Sequence, residues 1–174
     1  MRPFAASPAV EGAFVFTPGQ TAHKYGVFTV LPSPVAGGLQ VGAGGLALGR
    51  FGFADADGIV TNARVSAADR IGIAIPPFTQ PVLNTWQRNY WDAITQTLRA
   101  RTGTEAVLLT RGSGVWVRFA GGAWPGQKVY ASVLDGQAFS GYAVNAELTL
   151  WSVLTKADPG ELAVISTSAF FGGL

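Results

Sequence analysis

The fold class is decided by the stretch Val115-Trp116-Val117-Arg118-Phe119. Its apolar residues at 115, 117 and 119 alternate with Trp116 and Arg118, and this period of two is typical of a strand that buries one face. The same alternation recurs in two other apolar runs, over 70–75 and 127–133. These runs predict a protein built from β-strands.

From Leu46 onward, short apolar runs rich in Val, Ile, Phe and Trp are separated by glycine-rich turns, which is the pattern of an all-β domain. Asp57-Gly58 and Asp135-Gly136 suit tight hairpin turns, and 111–114 and 120–126 suit longer hairpin loops. A sandwich, a jelly roll and a small barrel all fit this spacing. We predict strands near residues 26–31, 46–53, 70–75, 105–110, 114–119, 127–133, 139–145, 148–154 and 162–166.

The segment 83–101 permits two interpretations. Its large apolar residues, from Trp86 to Leu98, recur at helical spacing, which predicts an amphipathic helix. Ile94 and Leu98 also fall on one face of a strand. We favour a loop that carries residues 86–91 and leads into a strand.

The composition limits the classes of partner. Charged residues make up 13% of the chain, against about 25% in ordinary soluble domains, so we expect much of the surface to be covered by other protein. The net charge is +2, and the nine arginines and three lysines are scattered rather than clustered. This scatter argues against nucleic-acid binding. Residues 1–11 lack a secretory signal, and the charge-free stretch 25–49 is too rich in glycine and proline for a membrane helix.

The sequence provides little for catalysis. It has no cysteine and one histidine, His23, in a proline-containing segment without periodicity, so the usual nucleophile–base pairs are not available. A pair of carboxylates for glycoside cleavage is an alternative. Most of the acidic residues lie near turns, and this argues against such a pair. The acidic residues considered are Asp92, Glu105, Asp135 and Glu147. We predict no enzymatic activity, no cofactor and no metal site.

Several segments resemble the structural cement, or decoration, proteins of tailed-bacteriophage heads in their order and spacing. The resemblance covers roughly residues 35–167 and implies a compact β-barrel or jelly-roll-like domain on the outer surface of the capsid. This chain differs by additional residues around 80–92 and by a longer N-terminal segment. The segments that carry the resemblance are 46–58, 106–117, 124–132, Asp135-Gly136 and 159–166.

The resemblance and the residue pattern together give a domain layout. We expect an extended N-terminal arm at 1–30, the β-domain at 31–167 with an inserted loop at 80–92, and an apolar tail at 168–174.

The resemblance also implies partners: the major capsid protein and neighbouring copies of the chain, as a dimer or trimer, with no nucleic acid and no membrane. We predict that aromatic anchors contact the capsid; the alternative is that they cap the domain's own core. A carbohydrate-binding or host-adhesion module is the alternative function. The predicted anchors are Trp86, Tyr90, Trp91, Phe170 and Phe171.

Overall fold

The computed structural model describes residues 38–67, 70–75, 91–92, 97–111 and 114–167. Within these ranges the regular secondary structure consists of β-strands, with no helix. The strands form a closed barrel, a five-stranded sheet and a three-stranded sheet. The strands are β1 (Leu39–Val41), β2 (Leu46–Ala47), β3 (Phe51–Ala54), β4 (Ile59–Thr61), β5 (Arg70–Ile75), β6 (Trp91–Asp92), β7 (Thr97–Ala100), β8 (Glu105–Leu109), β9 (Val115–Arg118), β10 (Lys128–Ser132), β11 (Ala138–Phe139), β12 (Ala146–Val153) and β13 (Leu162–Ser166).

The barrel contains five strands in the order β1-β4-β3-β5-β8, and β8 pairs with β1 to close it. A barrel of so few strands has a narrow interior, which can hold few large side chains. Gly52 of β3 and Gly72 of β5 lie directly opposite each other. A Cβ atom at Gly52 would approach Leu108 Cδ2 to 2.8 Å, and one at Gly72 would approach Leu108 Cβ to 3.0 Å. The glycine pair therefore makes room for the Leu108 side chain.

Three barrel strands, β3, β5 and β8, are buried on both faces. Ala54, Ala74 and Leu108 belong to the apolar cluster of the barrel interior. Alternate residues of the same strands belong to a second cluster, which also contains the inner face of the five-stranded sheet: Phe51, Phe53, Ile73, Ile75, Val107 and Leu109. These strands form a wall shared by two cores, and this explains why their sequences are nearly continuous apolar runs.

The five-stranded sheet has the order β11-β10-β12-β13-β9 and is antiparallel throughout. Val117 of β9, Val129 of β10 and Trp151 of β12 point from it into the shared core. The three-stranded sheet, β2-β7-β6, supplies Leu46 and Leu98 to the barrel cluster. The five-stranded sheet thus covers the outer side of β3, β5 and β8, and the three-stranded sheet contributes side chains to the cluster on their inner side.

Asn62 ties the start of the barrel to the three-stranded sheet. Its side-chain nitrogen donates to the carbonyl oxygens of Ala47 at 3.2 Å and Phe51 at 3.0 Å, and its side-chain oxygen accepts from the Ala47 amide at 2.7 Å. One partly buried amide thereby satisfies backbone groups at the chain reversal between β2 and β3.

The structure confirms the predicted all-β class and selects the small barrel, with two added sheets, from the three architectures. The predicted strands at 70–75 and 162–166 occur with those bounds as β5 and β13. In the segment 83–101, β6 and β7 confirm the strand interpretation for the described residues. The predicted strand at 26–31, the N-terminal arm, most of the inserted loop and the tail lie outside the described residues.

Three details of the predicted strands and loops are wrong. The run 46–53 divides into β2 and β3, because Gly49 adopts φ 79° and its amide donates to the Ala74 carbonyl. In the run 139–145 only Phe139 is in a strand, since the chain then leaves the sheet and reverses at Asn145, whose φ is 57°. The loops at 111–114 and 120–126 do not close hairpins, because β8 pairs with β1 and β5 whereas β9 pairs with β13.

The two Asp-Gly turns are confirmed, and the second one fastens the five-stranded sheet to the barrel. Gly136 lies in the turn between β10 and β11 with φ 71°. Its carbonyl accepts a hydrogen bond from the Phe51 amide at 2.8 Å, and the Asp135 carboxylate lies 3.4 Å from the Arg50 guanidinium. A Cβ atom at Gly136 would lie 2.1 Å from the Phe51 carbonyl oxygen. Glycine is required at this contact both for backbone conformation and for space.

The substitution Gly136→Ala is therefore expected to lower the free energy of unfolding by about 3 kcal/mol or more, because backbone strain and overlap with Phe51 add together. Gly126→Ala is the matched control: Gly126 has φ 88° but nothing within 4 Å of its added Cβ, so a loss of about 1–2 kcal/mol is expected. Urea denaturation of the two variants measures the difference. Equal losses would contradict the proposed role of the contact with Phe51.

Candidate interaction surface

Exposed apolar side chains lie on the outer face of the five-stranded sheet and in the connection that leads from β11 to β12. Tyr142 is 81% exposed, Val144 78%, Leu148 56% and Leu150 67%. Side chains of this size and exposure within one nine-residue stretch are unusual for a monomer, on which contiguous apolar patches are small. Together with the half-buried Tyr130 they define what we call the apolar patch.

Strand register and ring packing bring four members of the apolar patch together, and Val144 follows two residues after Tyr142 in the same connection. Tyr130 of β10 lies directly opposite Leu148 of β12, and on its other side Tyr130 lies opposite Phe139 of β11. The Tyr142 ring packs edge-on against Tyr130, with ring centroids 6.2 Å apart and an interplanar angle of 87°. Leu150 is two residues beyond Leu148, so both project from the same face of β12.

The connection that carries Tyr142 and Val144 is held at both ends. The Ser140 hydroxyl donates to the Gly122 carbonyl at 2.7 Å, and the Asn145 carbonyl accepts from the Val133 amide at 2.8 Å. These hydrogen bonds limit the conformations of the connection. Its exposed side chains are therefore presented in a defined arrangement, which reduces the entropy lost when a partner binds.

Thr149 fixes the backbone beneath the apolar patch. The register of β10 against β12 shifts between Lys128 and Tyr130, which marks a β-bulge. The buried Thr149 hydroxyl donates to the Val129 carbonyl at 2.7 Å and accepts from the Trp151 amide at 3.1 Å. A side chain thus satisfies two backbone groups at the irregular point of the ladder.

Two of the acidic residues weighed for glycoside cleavage are engaged by arginines. Glu147 forms an ion pair with Arg64 and Asp135 one with Arg50. Glu105 begins a barrel strand, and the side chain of Asp92 lies outside the description. The described residues include no group of three or more acidic or histidine side chains that could hold a metal ion. In the same part of the chain, no helix is long and apolar enough to cross a membrane.

The anchor residues predicted from the sequence remain predictions. Trp86, Tyr90, Phe170 and Phe171 lie outside the described residues, and Trp91 is described only by its backbone, which pairs with Leu98. The apolar patch was not predicted. The signal in the sequence is that β12 alternates Leu148 and Leu150 with the core residues Trp151 and Val153, so both of its faces are apolar.

Comparison with known families identifies the chain. A family model described as structural cement protein, with E217 gp24 and Pam3 gp6 as its examples, matches residues 8–168. The chain belongs to this family. It is thus a capsid-associated structural protein of a phage virion, and family membership favours the first of the two functions predicted from the sequence. Comparison with curated proteins gives no match.

A solved structure shares the fold of this cement protein. A chain from the capsid of Myoviridae phage XM1 superposes with a TM-score of 0.51 at 17% sequence identity. The similarity covers 90% of this chain and 99% of that chain. At this identity it establishes a common fold and carries no residue-by-residue assignment.

The role of Thr149 in supporting the patch is testable. Thr149→Val keeps the shape of the side chain but leaves the Val129 carbonyl and the Trp151 amide without their buried partner, so the unfolding free energy should fall by about 1–3 kcal/mol. Thr149→Ser, which keeps the hydroxyl, should lose less. Thermal unfolding followed by circular dichroism compares the two. If valine is tolerated better than serine, the hydroxyl does not stabilise the bulge.

Proposed function

We propose that this cement protein binds the outer surface of the assembled phage head and holds neighbouring subunits of the major capsid protein together. The observation that carries the proposal is the match to the structural cement family over residues 8–168. The compact β-domain and the sparse charge, 13% of residues, support it, because a non-enzymatic clamp needs rigidity and binding surface rather than catalytic groups. No catalytic role is part of the proposal.

Selective binding to the assembled lattice is sufficient to stabilise the shell. A protein present at 100 times its dissociation constant adds about 2.7 kcal/mol for each occupied site. A shell offers many equivalent sites, and a molecule that touches two neighbouring subunits gains further from the high effective concentration of the second contact. Modest affinity for each contact therefore becomes a large collective stabilisation.

The aromatic residues of the inserted loop and of the tail are proposed as part of the attachment. Trp86, Tyr90 and Trp91 belong to the proposed inserted loop at 80–92, and Phe170 and Phe171 to the proposed tail at 168–174. Such residues provide large contact area with few rotatable bonds, which makes them effective anchors. The proposed arm at 1–30 and neighbouring copies of the chain, as a dimer or trimer, extend the contact across the shell.

Purified protein added to empty mature heads tests the function. The protein should co-sediment with the heads to a fixed stoichiometry and should raise their melting temperature in calorimetry, because it binds the assembled lattice and not the dissociated subunits. Immature heads of the same phage serve as a control for lattice selectivity. If the protein never co-sediments and leaves the melting temperature of the heads unchanged, the proposed function is wrong.

The tail anchors have a separate test. The double substitution Phe170→Ser with Phe171→Ser should weaken binding to heads by about tenfold or more, since residues that dominate an interface cost about 2 kcal/mol or more on truncation. Leu174→Ser is the matched control, because it removes apolar area from the same segment without removing an aromatic ring. Binding isotherms from co-sedimentation give both values. Equal affinity for the two variants would show that the rings are not anchors.

A further inference from the structure

The apolar patch is the strongest feature of the described surface that the proposed function leaves without a role. It consists of Tyr130, Leu148 and Leu150 on the outer face of the five-stranded sheet, opposite the face that packs on the barrel, together with Tyr142 and Val144 in the connection between β11 and β12. The geometry points to a docking surface, and we propose that its occupant is an apolar, uncharged region of the major capsid protein. This inference rests on the proposed function and adds a second contact to the aromatic anchors.

The charge around the patch favours an apolar protein partner. Residues 142–150 include one charged side chain, Glu147, and its carboxylate is already engaged by the Arg64 guanidinium. A surface that binds phosphates or acidic groups requires several cations; residues 142–150 contain none, and Lys128, two residues before Tyr130 on β10, donates to the Ser152 hydroxyl at 3.2 Å. Depletion of charge and enrichment in tyrosine and leucine are the features of the fully buried centre of a protein interface.

The size of the patch favours the shell over a second copy of the chain. A stable complex of two proteins typically uses about 20–30 residues on each side, and the apolar patch has five. It therefore fits the central part of one contact among several. A shell subunit that is also held through other contacts satisfies this condition, because each further contact with the same lattice is intramolecular.

The patch is prepared for binding before a partner arrives. Tyr142 is already packed against Tyr130, and the connection from Ser140 to Asn145 is tied by hydrogen bonds at both ends. Leu148 of β12 is paired with Tyr130 of β10, and further along the same strand Ser152 and Val153 pair with β13. Little ordering remains for binding to complete, so the apolar contact contributes nearly its full free energy.

The experiment replaces the exposed leucines with charge. In Leu148→Glu combined with Leu150→Glu, both side chains point away from the core, so the melting temperature of the protein should stay close to that of the wild type. Binding to empty mature heads, measured by co-sedimentation, should weaken by about tenfold or more. Tyr142→Ser should also weaken binding to heads. Because Tyr142 lies in the connection rather than in a strand, this variant still tests the patch if the leucine variant fails to fold.

Trp124→Ser is the matched control, because Trp124 is also a large exposed apolar residue, 60% exposed, but lies in another turn beside Lys156. Its binding to heads should be unchanged. If the wild type binds heads and the leucine variant binds equally well, the patch proposal alone is overturned. If the wild type itself does not bind heads, the proposed function is wrong and the patch proposal is overturned as well. A wild-type oligomer in light scattering that the leucine variant converts to monomer, with head binding retained, would assign the patch to self-association and overturn the proposal.

Discussion

The wall formed by β3, β5 and β8 is the constraint on which the rest of this cement protein depends. One face of the wall fills a five-stranded barrel and the other carries the five-stranded sheet. The two faces have opposite requirements. On the inner face β3 and β5 carry the glycines Gly52 and Gly72, which leave the space that Leu108 of β8 occupies, whereas the outer face needs bulk and supplies Phe51 and Phe53. Alternation of small and large residues, rather than of polar and apolar ones, is the result.

The position of the interaction surface follows from that wall. A sheet that packs on the barrel through one face leaves its other face available, and the exposed leucines of β12 stand on that available face. The turn at Asp135-Gly136 fixes the sheet to the start of β3 through the contact with Phe51. The sheet that carries the surface is therefore attached to the barrel both by side-chain packing and by backbone hydrogen bonding.

Much of the fold can be predicted from the sequence, but the pairing of its strands cannot. Period-two alternation at 115–119 and turn chemistry at Asp57-Gly58 are local signals, and the structure confirms both. The division of 46–53 and the crossovers after β8 and β9 depend on which strands meet, which is decided by contacts distant in sequence. The same limit applies to the surface. Leu148 and Leu150 appear as ordinary strand residues until the sheet order shows that only the opposite face of β12 is covered by the barrel.

The sparse charge of the chain can be related to where its apolar surface is placed. Attachment through few ionic groups depends little on ionic strength, because apolar contacts are not screened by salt. Exposed apolar residues carry a risk of aggregation, which is greatest where they stand on an open strand edge with unpaired backbone groups. Here Tyr130 of β10 is paired on both sides, with Phe139 and with Leu148, whereas β12 pairs with β13 only at Ser152 and Val153, beyond the two exposed leucines. The backbone at Tyr130 is therefore occupied by strand pairing, and in the proposed contact this part of the patch presents side chains rather than unpaired backbone groups, which opposes unspecific strand pairing there.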